Sequence, residues 1–297
     1  MKIRYNVNVC DCNTHRNELM IHFTKSCPNN CSFCIDKLNK GVATISPNVD
    51  AIIKTVDKYK SNVKNITISG GEPFIYINDL LRFVTWLKEN TELNITIITS
   101  IPEICYKEKD KFFEILSKCD NLQISLQHHD QKIADLIRGT TSTFNRNEFY
   151  KEIINYLGPD KILGSINILK PYFESIVDIT NNVWQFNKLG FKNIKLCEMF
   201  DADDVYIDIP KMMGIKMNSP FASGCKTEYK PAQKWELKAF DWKFDGHLYI
   251  KRSCFYRTKH QKASIWDFIK ICTRWMFTKQ YFFGVIHENG EIAPYWL

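Results

Sequence analysis

Short apolar segments rich in isoleucine and threonine recur along the first two-thirds of the chain, and longer stretches of mixed polarity separate them. Four to eight such residues between turn-forming residues are typical of buried strands. Six strands are predicted in this way, at residues 20–24, 65–69, 94–99, 122–126, 162–169 and 193–197.

The intervening stretches have the three-to-four residue spacing of amphipathic helices. Leu80, Leu81, Val84 and Leu87 share one helical face. The same spacing recurs twice more, at Phe112, Ile115 and Leu116 and at Ile176, Ile179, Val183, Phe186 and Leu189. Because strands that alternate with helices pair in parallel, the pattern predicts an α/β fold with helices covering a mostly parallel sheet.

The pattern changes after about Met199, where neither period persists and turn-forming residues accumulate. Asp245 and Gly246 lie between alternating segments at 235–244 and 247–253, which predicts a hairpin. A second hairpin is predicted around Asn289 and Gly290, with a helix between the two. We therefore divide the chain into an N-terminal segment at 1–17, a main domain at 18–199 and a C-terminal extension at 200–297.

Composition narrows the class of protein. With 297 residues, of which 44% are hydrophobic and 25% charged, the chain can bury a full core, which excludes a disordered protein and a disulfide-stapled miniprotein. A net charge of +7 permits an anionic ligand without requiring nucleic acid. No apolar run approaches membrane-spanning length and no signal peptide is visible, so we expect a cytoplasmic protein that does not enter membranes.

The cysteines carry the most specific signal. Eleven are present, an odd number without a secretory signal, which favours metal binding or catalysis over disulfides. Three of them, Cys27, Cys31 and Cys34, fall within eight residues directly after the first predicted strand. Three thiolates at this spacing could hold three irons of a [4Fe–4S] cluster and leave the fourth iron open to an external ligand.

Zinc is the alternative that spacing leaves open. A structural zinc site would need a fourth ligand nearby. Cys10, Cys12 and His15 lie upstream of the first strand, and we interpret His22, which lies on that strand, as an ordinary core or surface histidine. Spacing alone favours iron–sulfur over zinc.

Together these residues resemble the signature of the radical S-adenosylmethionine (SAM) enzymes, with Phe33 as the aromatic residue before the last cysteine. The resemblance extends to Gly70, Gly71 and Glu72 after the second strand. It continues through residues 125–127 and 137–139, and so covers roughly residues 18–199. It implies a partial (β/α)6 TIM-like barrel, followed by a C-terminal α+β extension that covers the barrel opening.

The resemblance also implies roles for individual residues. The three cysteines would bind the cluster, and Phe33, Gly70, Gly71, Glu72, Ser125, Gln127 and Arg138 would contact SAM. Within this set, Glu72 would face the methionine ammonium and Arg138 the carboxylate, while Ser125 and Gln127 would bind the ribose from one face of a strand. Solvated charges and simple turn residues are the alternatives for each position taken alone. The residues that would act on the substrate are unknown.

The tail is similar to extensions that carry a second iron–sulfur cluster in the molybdenum-cofactor and peptide-modifying branches. Its candidate ligands are Cys225, Cys254 and Cys272, but the closely paired cysteines usual in such extensions are missing. Scattered cysteines therefore favour structural thiols. The tail is also rich in aromatic and basic residues, a pattern that fits packing against the barrel better than stacking on nucleic acid.

Three functions follow from these observations. The favoured one is reductive cleavage of SAM to a 5′-deoxyadenosyl radical that takes hydrogen from a peptide or small metabolite, with a flavodoxin or ferredoxin as electron donor. The second is the same chemistry on a nucleotide or nucleic acid. The third is a non-catalytic interaction protein stabilised by metal. Sequence does not identify the substrate, because fold does not determine function.

Overall fold

The computed structural model describes residues 2–5, 18–34, 46–199, 205, 207–212, 234–236, 247–251 and 283–293. Within these residues the chain forms one open, mainly parallel sheet with helices packed against it. The strands are β1 (Lys2–Tyr5), β2 (Glu18–Thr24), β3 (Asn65–Gly70), β4 (Asn94–Thr99), β5 (Asn121–Ser125), β6 (Ile162–Ile168), β7 (Asn193–Glu198), β8 (Lys234–Glu236), β9 (His247–Lys251), β10 (Phe283–Ile286) and β11 (Ile292–Ala293).

Helices connect the central strands. They are α1 (Val49–Tyr59), α2 (Ile77–Asn90), α3 (Glu103–Lys107), α4 (Lys109–Ser117), α5 (Gln131–Arg138), α6 (Arg146–Leu157), α7 (Ile176–Lys188) and α8 (Ile209–Met212). Short 3-10 helices occupy Lys60–Asn62, Pro73–Tyr76 and Pro159–Lys161. The predicted helical faces are buried, as Leu80, Val84 and Leu87 show on α2.

The six predicted strands correspond to β2 through β7, which pair in chain order and in parallel. The α/β class and the partial-barrel architecture are confirmed. Their core lies between the sheet and the helices, where Phe23 of β2 stacks on Phe83 of α2 with ring centroids 6.0 Å apart. The pairing of β2 with β3 is irregular near its carboxyl end, where the register shifts between His22 and Thr24.

The C-terminal part of the chain extends this sheet at both ends. The strand order is β11-β10-β2-β3-β4-β5-β6-β7-β9-β1-β8, with β9 parallel to β7 and β10 parallel to β2. The predicted first hairpin is wrong, because β1 lies between β8 and β9 and pairs with both. An Asp-Gly pair permits a tight turn, but an N-terminal strand far away in sequence occupies the position that a hairpin partner would take.

The second predicted hairpin is confirmed. Strands β10 and β11 pair antiparallel around a turn in which Gly290 has a φ of +85°. The predicted division at residues 17 and 199 stays a prediction, although β9 and β10 belong to the same sheet as β2–β7. The predicted helix of the tail, Cys225, Cys254, Cys272 and most of the aromatic and basic tail residues lie outside the described residues.

Candidate active site

The cysteine loop begins where β2 ends, at the carboxyl edge of the parallel strands. In α/β barrels this edge carries the active site. Cys27 is exposed and Cys31 and Cys34 are half-buried, all three as free thiols. The backbone amide of Cys34 donates to the Cys31 carbonyl at 3.3 Å, so the last two cysteines lie on one tight turn.

The turn after β3 clamps the beginning of this loop. The amide of Gly71 donates to the carbonyl of Thr24 at 2.6 Å, and the amide of Glu72 donates to the carbonyl of Ser26 at 2.8 Å. A Cβ atom on Gly71 would lie 2.2 Å from the Ser26 oxygen. Glycine is required because the two backbones touch, and the contact sets the position of the chain just before Cys27.

The end of α5 clamps the middle of the same loop. Gly139 ends the helix in the left-handed conformation, with a φ of +60°, and a Cβ atom there would lie 2.6 Å from the carbonyl oxygen of Asn30. The amide of Asn30 donates to the carbonyl of Arg138 at 2.6 Å, and the Cys31 thiol lies 3.8 Å from the same oxygen. The predicted motif at 137–139 therefore meets the cysteine loop directly.

Glu72 is buried and both of its carboxylate oxygens accept hydrogen bonds from the protein. Thr99 donates its hydroxyl at 2.8 Å, and Ser100 donates its amide at 2.7 Å and its hydroxyl at 2.6 Å. Burial raises the pKa of Glu72 above its ordinary value, while these hydrogen bonds oppose the shift. In this structure Glu72 ties the β3 turn to the end of β4, and its predicted contact with the SAM ammonium stays a prediction.

Arg138 is almost completely buried and lies against the end of β5. One terminal nitrogen, Nη2, donates to the carbonyls of Ser125 and Leu126 at 2.8 and 2.9 Å. Its Nη1 lies 4.0 Å from the Asp135 carboxylate. Among the described residues, neither Nη1 nor Nε makes a hydrogen bond. Buried donors without hydrogen-bond partners are rare, so a bound acceptor is the expected partner.

Gln127 differs from its predicted geometry. Strand β5 ends at Ser125, and Gln127 follows with a left-handed φ of +67°, so strand alternation does not place it on the face of Ser125. Its side chain is buried, and within the described part of the chain its oxygen has no hydrogen-bond donor. Phe33 packs against the small apolar cluster of Ile137, Leu169 and Met199, beside the cysteine loop.

Arg146 is a site residue that the sequence did not indicate. It begins α6 and is buried, with Nη1 donating to the carbonyls of Ser100, at 3.0 Å, and Ile101. Its Nε donates to Ser142 at 2.7 Å, and burial lowers its pKa. A single arginine in a polar loop carries no sequence signal, because its role depends on the end of β4, some 45 residues away.

The spacing of the three cysteine sulfurs differs from that of three ligands on a single zinc ion. Three thiolates on one tetrahedral zinc ion would lie about 3.8 Å apart, given zinc–sulfur bonds of about 2.3 Å. Among the described residues, the only group of three ligand atoms found within 4.8 Å of one another involves other side chains. The sulfurs are therefore spread more widely than one zinc ion requires.

The groups around the Cys27 thiol also favour binding of a cation at the cysteine loop. Although Cys27 is exposed, partial desolvation of its sulfur by the surrounding loop raises the pKa of the thiol to about 12; a hydrogen bond from the Asn29 backbone lowers it, and Glu72 and the two neighbouring thiols raise it further. A thiol in this setting stays protonated unless a metal binds, because coordination to a cation removes the proton.

A family model described as the radical SAM superfamily matches residues 21–182, more than half of the chain. No curated protein matches the sequence. No helix within the described residues is long and apolar enough to span a bilayer.

Several solved structures are similar to this chain in fold, at low sequence identity. Streptococcus suis SuiB bound to precursor peptide SuiA is similar, with a TM-score of 0.57 and 18% identity over 94% of this chain and 59% of that chain. Methylornithine synthase (PylB) has a TM-score of 0.46 and 16% identity over 64% and 53% of the two chains. The structure of anSMEcpe with bound AdoMet and Cp18Cys peptide has a TM-score of 0.46 and 14% identity over 60% of this chain and 50% of that chain. This chain therefore spans less than two-thirds of the length of each of these three proteins. Because the family model matches more than half of its residues, the chain belongs to the radical SAM superfamily, whose enzymes use SAM and a [4Fe–4S] cluster.

Proposed function

We propose that Cys27, Cys31 and Cys34 hold the [4Fe–4S] cluster at which this enzyme cleaves SAM, and that its substrate is a peptide. The observation that carries the first part is the double clamp on the cysteine loop. The turn after β3 binds Thr24 and Ser26 before the first cysteine, and the end of α5 binds Asn30 before the second. These contacts join the three matched motifs into one continuous surface.

The two backbone contacts on the cysteine loop fix the positions of its three thiols. Three soft ligands on a loop are useful only if the loop holds them at a fixed separation, since loops are otherwise the most mobile part of a fold. Close backbone contacts at Gly71 and Gly139 supply that rigidity without side chains that would fill the space beside the loop. Phe33 packs against the apolar group of Ile137, Leu169 and Met199 and so anchors the chain directly before the last cysteine.

The unpartnered polar atoms indicate where SAM would lie. Among the described residues, Nε and Nη1 of Arg138 and the side-chain oxygen of Gln127 make no hydrogen bond, although Nη1 lies 4.0 Å from the Asp135 carboxylate, and all three atoms are buried after β5. A carboxylate is the natural partner of a guanidinium group. We assign Arg138 to the SAM carboxylate and Gln127 to a donor group of the same molecule, while the Thr99–Ser100–Glu72 network holds the neighbouring turn. Gly70, Gly71 and Ser125 line the same edge and would complete the contacts.

Cys27, Cys31 and Cys34 would hold the cluster, which once bound and reduced would supply the electron for reductive cleavage of SAM and thus for hydrogen abstraction from the substrate. The work of the protein is positional: it orients SAM, excludes water and holds the substrate at the carboxyl edge of the sheet. A flavodoxin or ferredoxin would deliver the electron.

A peptide is the favoured substrate because the fold of this chain over 94% of its length is similar to that of SuiB bound to precursor peptide SuiA. The predicted C-terminal extension is consistent with this assignment. We make no proposal for nucleic acid, since the aromatic and basic residues that suggested it lie mainly outside the described residues.

Cleavage is tested with anaerobically reconstituted protein, SAM and dithionite, with 5′-deoxyadenosine measured by liquid chromatography. The unmodified protein should bind about four irons per chain and release 5′-deoxyadenosine, whereas Cys27→Ser should lose both. Cys119→Ala is the matched control, because Cys119 is a buried thiol that donates to the Ile115 carbonyl on α4. Iron-loaded protein that releases no 5′-deoxyadenosine would contradict the proposal.

The substrate class needs a separate measurement. Peptides encoded beside the gene can be prepared from deuterated amino acids and incubated with the enzyme and SAM. We expect the peptide to increase turnover and to transfer deuterium into 5′-deoxyadenosine. Transfer from deuterated nucleotides, but not from peptides, would instead favour the nucleotide alternative.

A further inference from the structure

A cluster of two histidines and one carboxylate lies beside the cysteine loop and has no role in the chemistry described above. His22 on β2, with His287 and Glu288 in the turn after β10, each offer a ligand atom, and these atoms all lie within 4.8 Å of one another. His22 and Glu288 are 1% and 5% exposed. From this geometry we propose that the three residues, named here the His–His–Glu cluster, bind a divalent transition-metal ion of the zinc or ferrous class.

The ligand spacing agrees with coordination. His22 Nδ1 and Glu288 Oε2 are 3.4 Å apart. Two ligands on a tetrahedral ion, with bonds of about 2.1 Å to nitrogen and oxygen, are separated by about 3.4 Å. The rings of His22 and His287 have centroids 5.8 Å apart and are tilted by 49°, so they are not stacked face to face. Two imidazoles and a carboxylate form a donor set that suits zinc and ferrous iron.

The turn that carries two of the ligands is fixed before any metal binds. The carbonyl of Glu288 accepts the Asn48 amide at 2.7 Å, and the carbonyl of Gly290 accepts the Thr55 hydroxyl at 2.6 Å. A Cβ atom on Gly290 would lie 2.6 Å from the backbone of Ala51, so the turn rests directly on α1. Such anchoring lowers the entropic cost of assembling a site.

Glu288 also has the support expected of a metal-binding carboxylate. Its second oxygen, Oε1, lies 3.6 Å from the ammonium nitrogen of Lys25. Outer partners of this kind orient a ligating carboxylate and leave the other oxygen, Oε2, for the metal. Lys25 therefore stays paired with Oε1 while the ion binds on the side of the two histidines.

The position of the cluster suggests a role in substrate binding. His22 lies five residues before Cys27, and Glu288 lies 3.6 Å from the ammonium nitrogen of Lys25, two residues before the same cysteine. Three protein ligands are the number found in catalytic zinc sites, which keep a further position for water or substrate. An ion here would hold a substrate oxygen or nitrogen beside the proposed SAM site.

The first test uses the full-length, cluster-loaded protein. After incubation with Zn2+ and desalting, metal mass spectrometry should find one zinc per chain in addition to iron. Glu288→Gln and His22→Gln should weaken zinc binding at least tenfold. The matched control is Glu291→Gln, which changes an exposed carboxylate three residues further along and should retain zinc. Because His22 is buried, His287→Ala, at a half-exposed position, provides a variant less prone to misfolding.

A second measurement identifies the ligands and does not depend on SAM cleavage. In the chain with Cys27, Cys31 and Cys34 all replaced by serine, one Co2+ should bind with visible d–d bands and without a thiolate charge-transfer band. Zn2+ should raise the melting temperature of this chain and leave that of its Glu288→Gln derivative unchanged. The proposal is wrong if the metal does not bind in a one-to-one ratio, if a thiolate band appears, or if binding survives substitution of His22, His287 and Glu288. In any of these cases His22 and Glu288 are only a buried hydrogen-bonded pair.

Discussion

Replacing Gly71 with alanine tests whether the contact between two backbones positions the cysteine loop. The added Cβ atom would lie 2.2 Å from the Ser26 oxygen, against 3.4 Å for an ordinary contact. The two segments must therefore separate by about 1 Å. Gly71 has a φ outside the left-handed region, so the cost is steric and not conformational.

The magnitude follows from the contacts that this separation breaks. The amide hydrogen bonds of Gly71 to Thr24 and of Glu72 to Ser26, now 2.6 and 2.8 Å, would lengthen beyond hydrogen-bonding range. Each contributes about 1 kcal/mol, and overpacking costs a further 1–3 kcal/mol, roughly, so Gly71→Ala should lower the free energy of unfolding by about 3–5 kcal/mol. The shift also displaces the start of the cysteine loop, so iron content should fall.

Anaerobic guanidinium unfolding followed by circular dichroism measures the first effect, and iron per chain measures the second. Gly158→Ala is the matched control, because Gly158 has a φ of +82° and nothing within 4 Å of the added carbon. It should cost only the strain of a backbone conformation that is essentially restricted to glycine, with a ψ of 146°, which is about 1–3 kcal/mol, and leave the iron unchanged. A Gly71→Ala protein within about 1 kcal/mol of the parent and fully loaded with iron would refute the reasoning.

Three further changes test the rest of the site. Burial raises the pKa of Glu72 above 4.5, so the folded state binds the Glu72 proton more tightly than the unfolded chain does. The stability contributed by protonated Glu72 is therefore complete below about pH 4.5 and is lost as pH rises through the folded pKa. The stability of the parent relative to Glu72→Gln should therefore fall with pH, and a constant difference in pH-dependent unfolding would contradict this. Gly139→Ala combines left-handed strain with a contact of 2.6 Å to Asn30 and should cost about 2–5 kcal/mol, with loss of iron from the same loop; unchanged stability and iron would separate α5 from the cluster. Arg138→Met should raise the dissociation constant for SAM at least tenfold in calorimetry. Arg138→Lys should have an intermediate affinity, because lysine keeps the positive charge but lacks the paired N–H donors of the guanidinium group. Equal affinity for SAM in the parent and both variants would show that Arg138 does not contact SAM.

Local pattern was sufficient for the central sheet. Strands β2 to β7 are short, β-branched and bounded by turn residues, so each one can be identified without reference to its neighbours. The cysteine loop, the glycine pair at 70 and 71 and Gly139 were predicted for the same reason, since each motif is contiguous. Even so, the predicted strand alternation fails at Gln127, because the backbone turns left-handed directly after β5.

Distant contacts were not predictable in this way. The hairpin around Asp245 and Gly246 looked favourable locally, but β1 occupies the place between its two strands. Likewise, nothing near Glu72 indicates that Ser100 will saturate its carboxylate, and nothing near His22 indicates Glu288, 266 residues away.

The α/β fold and the three-cysteine loop could be predicted from the sequence because strand patterns and contiguous motifs are short-range properties of the chain, and the resemblance of those motifs to the radical SAM signature indicated the family. The three-dimensional structure was needed to show which backbone segments contact the cysteine loop, which buried polar atoms lack a hydrogen bond among the described residues, and which side chains from distant segments come together. Those features depend on pairings between strands that are far apart in the chain, and each local pattern is compatible with many such pairings.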